Sequence, residues 1–197
     1  MAILCLTVPK KIALELEKIP VPGKKQDPSS YHITLFYMPN LKVDQISQLL
    51  KLTFEFLQNE KPFDTDLKEV TTFKMNDDGI PIIIPTLSDY LHDWRARLAT
   101  ELDKAGIEFS KKYPEFKPHL TLSYSNNKKD QNFKYKLPKA ISVNHNTVTY
   151  YAGSHTGGTM FRIPIGSKKK EFDLAKERIN VETPKNQNST ISFWEKS

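Results

Sequence analysis

The sequence predicts an α+β fold, with helices set beside antiparallel hairpins. Three observations carry this. The elements read along the chain as strand, strand, helix, strands, helix, strands. Two strand pairs are separated only by turn-forming segments, Asn76-Asp77-Asp78-Gly79 and Gly153-Ser154-His155-Thr156-Gly157-Gly158, the connection of an antiparallel hairpin. The helical stretches stand apart from these hairpins, a segregation that favours α+β over a parallel α/β sheet.

The apolar run 2–8 reads as a strand, and the Pro-, Gly- and Ser-containing stretch 21–30 as a loop. Tyr31 to Met38 reads as a second strand, stopped by Pro39-Asn40. Asp44 is placed to cap a helix reaching about Gln58, because Ile46, Leu49, Leu50, Phe54 and Leu57 fall on one helical face. Strands follow at 67–75 and 80–84. The clearest helix spans about Leu87–Ala105, where Leu87, Leu91, Trp94, Leu98, Leu102 and Ala105 repeat at three and four residues. Thr86 or Ser88 can cap its start and Gly106 can end it, so Trp94 reads as core. A strand at 119–124, a Lys/Asn-rich loop at 126–131 and a hairpin of 147–152 with 159–165 complete the domain. Residues 1–166 are expected to form it, and the charged, polar stretch 167–197 to form a tail, with Phe193 and Trp194 able to dock it.

A chain of 197 residues suits one domain or two small packed lobes. Cys5 is the single cysteine, which excludes an intrachain disulfide and disfavours a cysteine zinc site. The apolar N-terminus lacks a basic start and a cleavage site, and no apolar run reaches membrane-spanning length. A reducing, cytoplasmic setting is therefore expected. The net charge of +6 and pI of about 9.2 suit an anionic partner such as a nucleotide or nucleic acid, although surface lysines alone give the same excess.

The chemistry resides in a repeat. His32-Ile33-Thr34-Leu35-Phe36-Tyr37 and His119-Leu120-Thr121-Leu122-Ser123-Tyr124 share His, an aliphatic residue, Thr, Leu, any residue and Tyr, 87 residues apart. In a strand, residues two apart share a face. Each copy therefore presents an imidazole and a hydroxyl together, with Ile33 or Leu120 turned the other way. If a pseudo-twofold relates the halves, both pairs can meet at one site. Cleaving a phosphodiester requires one proton taken from the nucleophile and one given to the leaving oxygen, and two histidines can do both near neutral pH. The threonine hydroxyls can donate to the non-bridging oxygens. Strict alternation puts Tyr37 and Tyr124 on the opposite face, in packing roles.

This pair of His-x-Thr motifs resembles the 2H phosphoesterase superfamily, which includes the LigT-like and cyclic phosphodiesterase groups. Phe116-Lys117-Pro118-His119-Leu120-Thr121-Leu122 is similar to the family's second motif, proline included, and the resemblance covers about residues 1–166. It implies a bilobal fold, with two antiparallel sheets and flanking helices around a central cleft. It also implies His32 and His119 as the catalytic pair, Thr34 and Thr121 as phosphate ligands, and no metal or other cofactor. The substrates implied are RNA, oligonucleotides or cyclic nucleotides, cleaved at 2′,3′-cyclic phosphates or at 2′–5′ or 3′–5′ linkages. Viral members of the family degrade cyclic oligonucleotide or 2′–5′ oligoadenylate immune signals, and the small size and lysine/asparagine content are compatible with such a role.

Other residues compete for these roles. A non-catalytic RNA-binding module would use the same basic cleft. His145-Asn146-Thr147 is a third His-x-Thr, but Asn146 suits a buried layer poorly and the spacing does not match a half-chain repeat. It reads as a chance match or a solvent-facing strand start. A metal site of His32, His119 and His155 lacks a supporting carboxylate cluster. No Gly-x-Ser-x-Gly elbow surrounds Ser125 or Ser154. His92 falls on the polar side of its helix, and Lys168-Lys169-Lys170 reads as solvated surface. Tyr31, Phe36, Tyr150, Tyr151 and Phe161 can stack a base, but aromatics at strand positions are chiefly core.

Overall fold

The computed structural model describes residues 2–113, 115–154, 157–169 and 171–182. In chain order the elements are β1 (Ala2–Thr7), α1 (Lys10–Glu17), β2 (Lys24–Lys25), β3 (His32–Tyr37), α2 (Val43–Gln58), β4 (Phe63–Thr72), β5 (Ile80–Leu87), α3 (Asp89–Lys104), β6 (His119–Ser125), β7 (Tyr135–His145), β8 (Thr147–Ser154), β9 (Gly157–Pro164) and β10 (Arg178–Glu182). The strands follow the order β10-β9-β8-β1-β3-β6-β5-β4-β7, with β2 also paired to β6. Every pairing is antiparallel. The α+β class holds, and the two expected sheets meet edge to edge, where β3 and β6 pair at Ile33 and Leu120.

One face of this sheet is covered by the helices. Leu4, Leu6, Ile33, Phe36, Ile84 and Leu120 join Leu49, Leu50 and Phe54 of α2 and Leu91, Trp94 and Leu98 of α3 in a single buried core. Trp94 is fully buried, as its helical spacing predicts. Ser88, rather than Thr86, caps α3, accepting from the Leu91 amide at 3.2 Å. Gly106 follows the helix in the left-handed region at φ 68°. The start of α2 differs from expectation. Asp44 lies inside the first turn, and Gln45 reaches back to accept from the Lys42 amide at 3.2 Å.

Four elements escape the sequence reading, the shortest being β2, which lies in the stretch read as a loop. Helix α1 has only eight residues and buries two of them, Ala13 and Leu16. Strand β7 contains Pro138 and buries little beyond Leu137, Val143 and His145, because it is the sheet's edge. Within 167–197, Phe172 is buried against Phe54 and Phe161, and β10 pairs with β9. Phe193 and Trp194 lie outside the described residues. Among the described residues, no helix is long and apolar enough to cross a membrane.

Candidate functional site

The two halves of the sheet share one register. In the first, Cys5, Leu6 and Thr7 of β1 face Thr34, Ile33 and His32 of β3. In the second, Ile83, Ile84 and Pro85 of β5 face Thr121, Leu120 and His119 of β6. Each ladder then slips by one residue at the same place, so that Leu4 faces Phe36 and Ile82 faces Ser123. Leu35 and Leu122 are thus the extra residues of two matching β-bulges.

The strands carrying the repeat lie side by side. Ile33 and Leu120 are partners in the β3–β6 ladder, and both point into the helix-covered core. Alternation turns His32, Thr34, His119 and Thr121 to the other face. Extending the register sets His32 beside Thr121 and His119 beside Thr34, with a local twofold between them. The histidines occupy one diagonal of this square, a separation of roughly 7 Å between such positions. All four side chains are partly exposed between buried neighbours.

Each imidazole is oriented in the same way. His32 Nδ1 lies 2.7 Å from the Ser30 carbonyl, and His119 Nδ1 lies 2.6 Å from the Lys117 carbonyl. A carbonyl only accepts, so Nδ1 carries the hydrogen in both rings, and Nε2 holds the lone pair of each neutral imidazole. Burial lowers both pKa values below the ordinary histidine value, and the charge of His119 lowers that of His32 further; the carbonyl bonds act in the opposite sense. The Phe73 ring packs edge-on against His119, with centroids 4.6 Å apart and planes at 74°.

Several expectations need correction. Tyr37 and Tyr124 were expected on the face opposite His and Thr. The bulges at Leu35 and Leu122 reset the alternation, and both tyrosines stand on the His/Thr face. The burial patterns record the same slip, two consecutive residues being buried before each tyrosine. His145 is not solvent-facing. It is 2% exposed, it lies 2.8 Å from Thr65 Oγ1 through Nε2, and burial pushes its pKa down to about 4. Its strand, β7, pairs with β4 at the far edge of the sheet from β3.

The remaining candidates fall as follows. Tyr31, Phe36, Tyr150, Tyr151 and Phe161 are all buried. His92 is exposed and packs edge-on to Phe116. Ser125 donates to Asp130 at 2.5 Å inside a turn. His155 and Lys170 lie outside the described residues. Lys169 pairs with Glu177 at 2.7 Å. Among the described residues, no three of His, Cys, Asp and Glu form a group able to hold a metal ion. Sequence reasoning missed Phe73, which carries no local signal, and it misplaced Tyr124.

The model of the 2′-5′ RNA ligase superfamily matches residues 9–152. The chain belongs to this superfamily. It is a LigT-like 2H phosphoesterase, and its solved neighbours agree in fold. TT0787 of Thermus thermophilus superposes with a TM-score of 0.69 at 14% identity, over 85% of this chain and 99% of that one. E. coli LigT complexed with 3′-AMP gives 0.55 at 15% identity, over 92% of this chain and 98% of that one. E. coli LigT complexed with ATP gives 0.55 at 14% identity, with coverage of 92% and 98%. Among curated proteins none matches the chain.

Proposed function

We propose that this 2H phosphoesterase is a metal-independent phosphodiesterase in which His32 and His119 are the acid–base pair. The observation that carries the reading is the twofold square of His32, Thr34, His119 and Thr121 on adjacent strands. A phosphate seated over the square has an imidazole on each side and a hydroxyl beside each imidazole. Thr34 and Thr121 donate to its non-bridging oxygens. One neutral imidazole takes the proton of water or of a ribose hydroxyl as that oxygen bonds to phosphorus. The other, protonated, gives its proton to the ribose oxygen as its bond to phosphorus breaks. The proton taken and the proton given balance, and the two rings exchange protonation states over the step.

The substrates proposed are 2′,3′-cyclic phosphates and 2′–5′ or 3′–5′ linkages in RNA, oligonucleotides or cyclic nucleotides, including oligonucleotide immune signals. The nucleotides named with E. coli LigT support this class, as does the net charge of +6. A buried, free Cys5 suits a reducing cytoplasm. The test is a panel of cyclic dinucleotides, 2′–5′ oligoadenylate and RNA ending in a 2′,3′-cyclic phosphate, incubated with chelator. Turnover of at least one member is expected. Salt-dependent binding without turnover of any would favour an RNA-binding module instead.

A further inference from the structure

The stretch between α1 and β3 lays the two-residue strand β2 along β6, just past the His/Thr square. Lys24 pairs with Tyr124 and Lys25 with Ser123. The segment is clamped on both sides of this pair. The Gln26 amide donates to the Leu122 carbonyl at 2.8 Å, and Ser123 Oγ donates to the Pro22 carbonyl at 2.7 Å. Gly23, at φ 82°, comes so close that a Cβ there would collide with the Tyr124 carbonyl. The two lysines of this fixed strand part to opposite faces. Lys25 turns to the helix side, where its Nζ donates to the Glu17 carbonyl at the end of α1. Lys24 shares the face of its partner Tyr124, which is that of His32, Thr34, His119 and Thr121. It is exposed, and among the described residues its ammonium makes neither an ion pair nor a hydrogen bond.

We propose that Lys24 forms a subsite for the phosphate next to the one being cleaved, so that the enzyme prefers oligonucleotides, linear or cyclic, over mononucleotide 2′,3′-cyclic phosphates. The inference rests on the phosphodiesterase reading above and deepens it by naming the substrate class. With Leu122 bulged out, the Lys24–Tyr124 pair lies two rungs beyond the His32–Thr121 side of the square, about 7–10 Å along the strand at roughly 3.3 Å per residue. The flexible four-carbon stem of a lysine spans most of that gap. Its ammonium is a compact point charge with three rotatable donors, suited to a phosphate whose position shifts with the linkage. A 2′,3′-cyclic mononucleotide carries only the phosphate that sits on the square, and it leaves Lys24 unused.

The other end of the square differs. There the equivalent segment lies beside Tyr37, the Ser110 amide donating to the Tyr37 carbonyl at 2.7 Å. Its lysines are engaged: Lys111 pairs with Asp103 at 3.3 Å, and Lys112 lies over the Tyr113 ring, 5.6 Å from its centroid. At the Lys24 end the charge of Asp78 reaches Tyr124 from the β4–β5 turn, but it forms no ion pair with Lys24. The unpaired cation thus breaks the twofold and gives the neighbouring phosphate one side of the site.

The test uses an oligonucleotide containing whichever bond the panel shows to be cleaved, with each neighbouring phosphate in turn either natural or replaced by a neutral methylphosphonate. Wild type, Lys24→Gln, Lys24→Arg, Lys112→Gln and His119→Ala are compared, with thermal melts to confirm that each is folded. In the wild type one such replacement should lower kcat/KM about threefold to fivefold, the worth of one exposed ion pair, through KM and with kcat within twofold. Lys24→Gln should lose the same factor on the natural substrate, and the replacement should then cost it less than twofold. Lys24→Arg should behave as wild type. Lys112→Gln, which removes the same charge at the other end, should keep the wild-type response to the replacement. A wild type indifferent to every replacement overturns the subsite, as does a Lys24→Gln protein that still responds in full or a Lys112→Gln protein that loses the response equally. If such a result comes with a turnover that His119→Ala abolishes, only the subsite falls. If His119→Ala retains full turnover, or no panel member is turned over, the phosphodiesterase reading falls and the subsite with it.

Discussion

Leu35 and Leu122 occupy equivalent places in two strands, each the unpaired residue of a bulge that directly follows a His-x-Thr. Their carbonyls, out of step with the ladder, are met by donors from different sources. Leu122 accepts from the Gln26 amide at 2.8 Å, whereas Leu35 accepts from Arg95 Nε at 3.4 Å. The Arg95 guanidinium lies over Phe36, Phe109 and Phe116, at 4.6, 5.5 and 4.9 Å from their centroids. One bulge is therefore secured by backbone and the other by a side chain held among aromatic rings.

Arg95→Met keeps the aliphatic stem and removes the donor and the cation. Loss of one bond to a partly buried carbonyl should cost about 1–2 kcal/mol. Chemical denaturation measures this, and an unchanged midpoint would mean that water replaces the guanidinium at no cost. Because Thr34 directly precedes the bulge, turnover should fall in parallel.

Gly23→Ala strikes the other bulge. Its φ of 82° disfavours any other residue, and the new Cβ would collide with Tyr124 backbone. The loop must retreat, releasing the Leu122 carbonyl and the Tyr124 ladder together. The expected loss is about 2 kcal/mol in stability, with kcat reduced as well, because the bulge directly follows Thr121. A fully active, equally stable Gly23→Ala protein would contradict the close approach of Gly23 to the bulged strand.

The pH profile follows from the two lowered histidine pKa values. The acid–base pair works with one ring protonated and the other neutral. Both free-enzyme pKa values lie below 6.5, so kcat/KM should peak on the acid side of pH 6.5 and fall as pH rises past the higher of the two. Replacing Phe73 by Ala should let water reach His119, relax its pKa upward and carry the alkaline limb to higher pH. A wild-type optimum above pH 7 for kcat/KM would conflict with the burial of these rings.

His145 makes a separate prediction about stability. Its pKa falls to about 4 in the fold, below the ordinary value of 6.5, so the unfolded chain binds the proton more readily. Above pH 6.5 the group is neutral in both states and has no effect. As pH falls from 6.5 toward 4 it favours unfolding, by roughly 2 kcal/mol at pH 5. Unfolding free energies of wild type and His145→Phe at pH 7 and pH 5 should show a smaller acid loss in the variant. Equal losses would mean that His145 can be protonated inside the fold.

Much of this was legible in the chain itself. The repeat around His32 and His119 carried the placement of the four candidate residues on one face, because alternation along a strand is fixed by backbone geometry and survives any global arrangement. The periodicity around Trp94 carried α3 for the same reason. What escaped depended on partners distant in sequence. A bulge is a property of a ladder, so the slip at Leu35 and Leu122 that turns the tyrosines round had no local mark beyond the shared tyrosine. Edge strands such as β7 bury few residues and alternate weakly. His145 looked solvated because its neighbour Asn146 is polar, yet β4 and Phe63 cover it.

The central claim is that two imidazoles act on opposite sides of one phosphate. Single-turnover cleavage by wild type, His32→Ala, His119→Ala and the double variant tests it most directly, on one panel substrate with chelator present. Each single variant should lose about 10²–10⁴-fold in rate while melting as wild type does, and the double variant should lose little beyond the worse single. A folded single variant that cleaves at the wild-type rate would contradict the account.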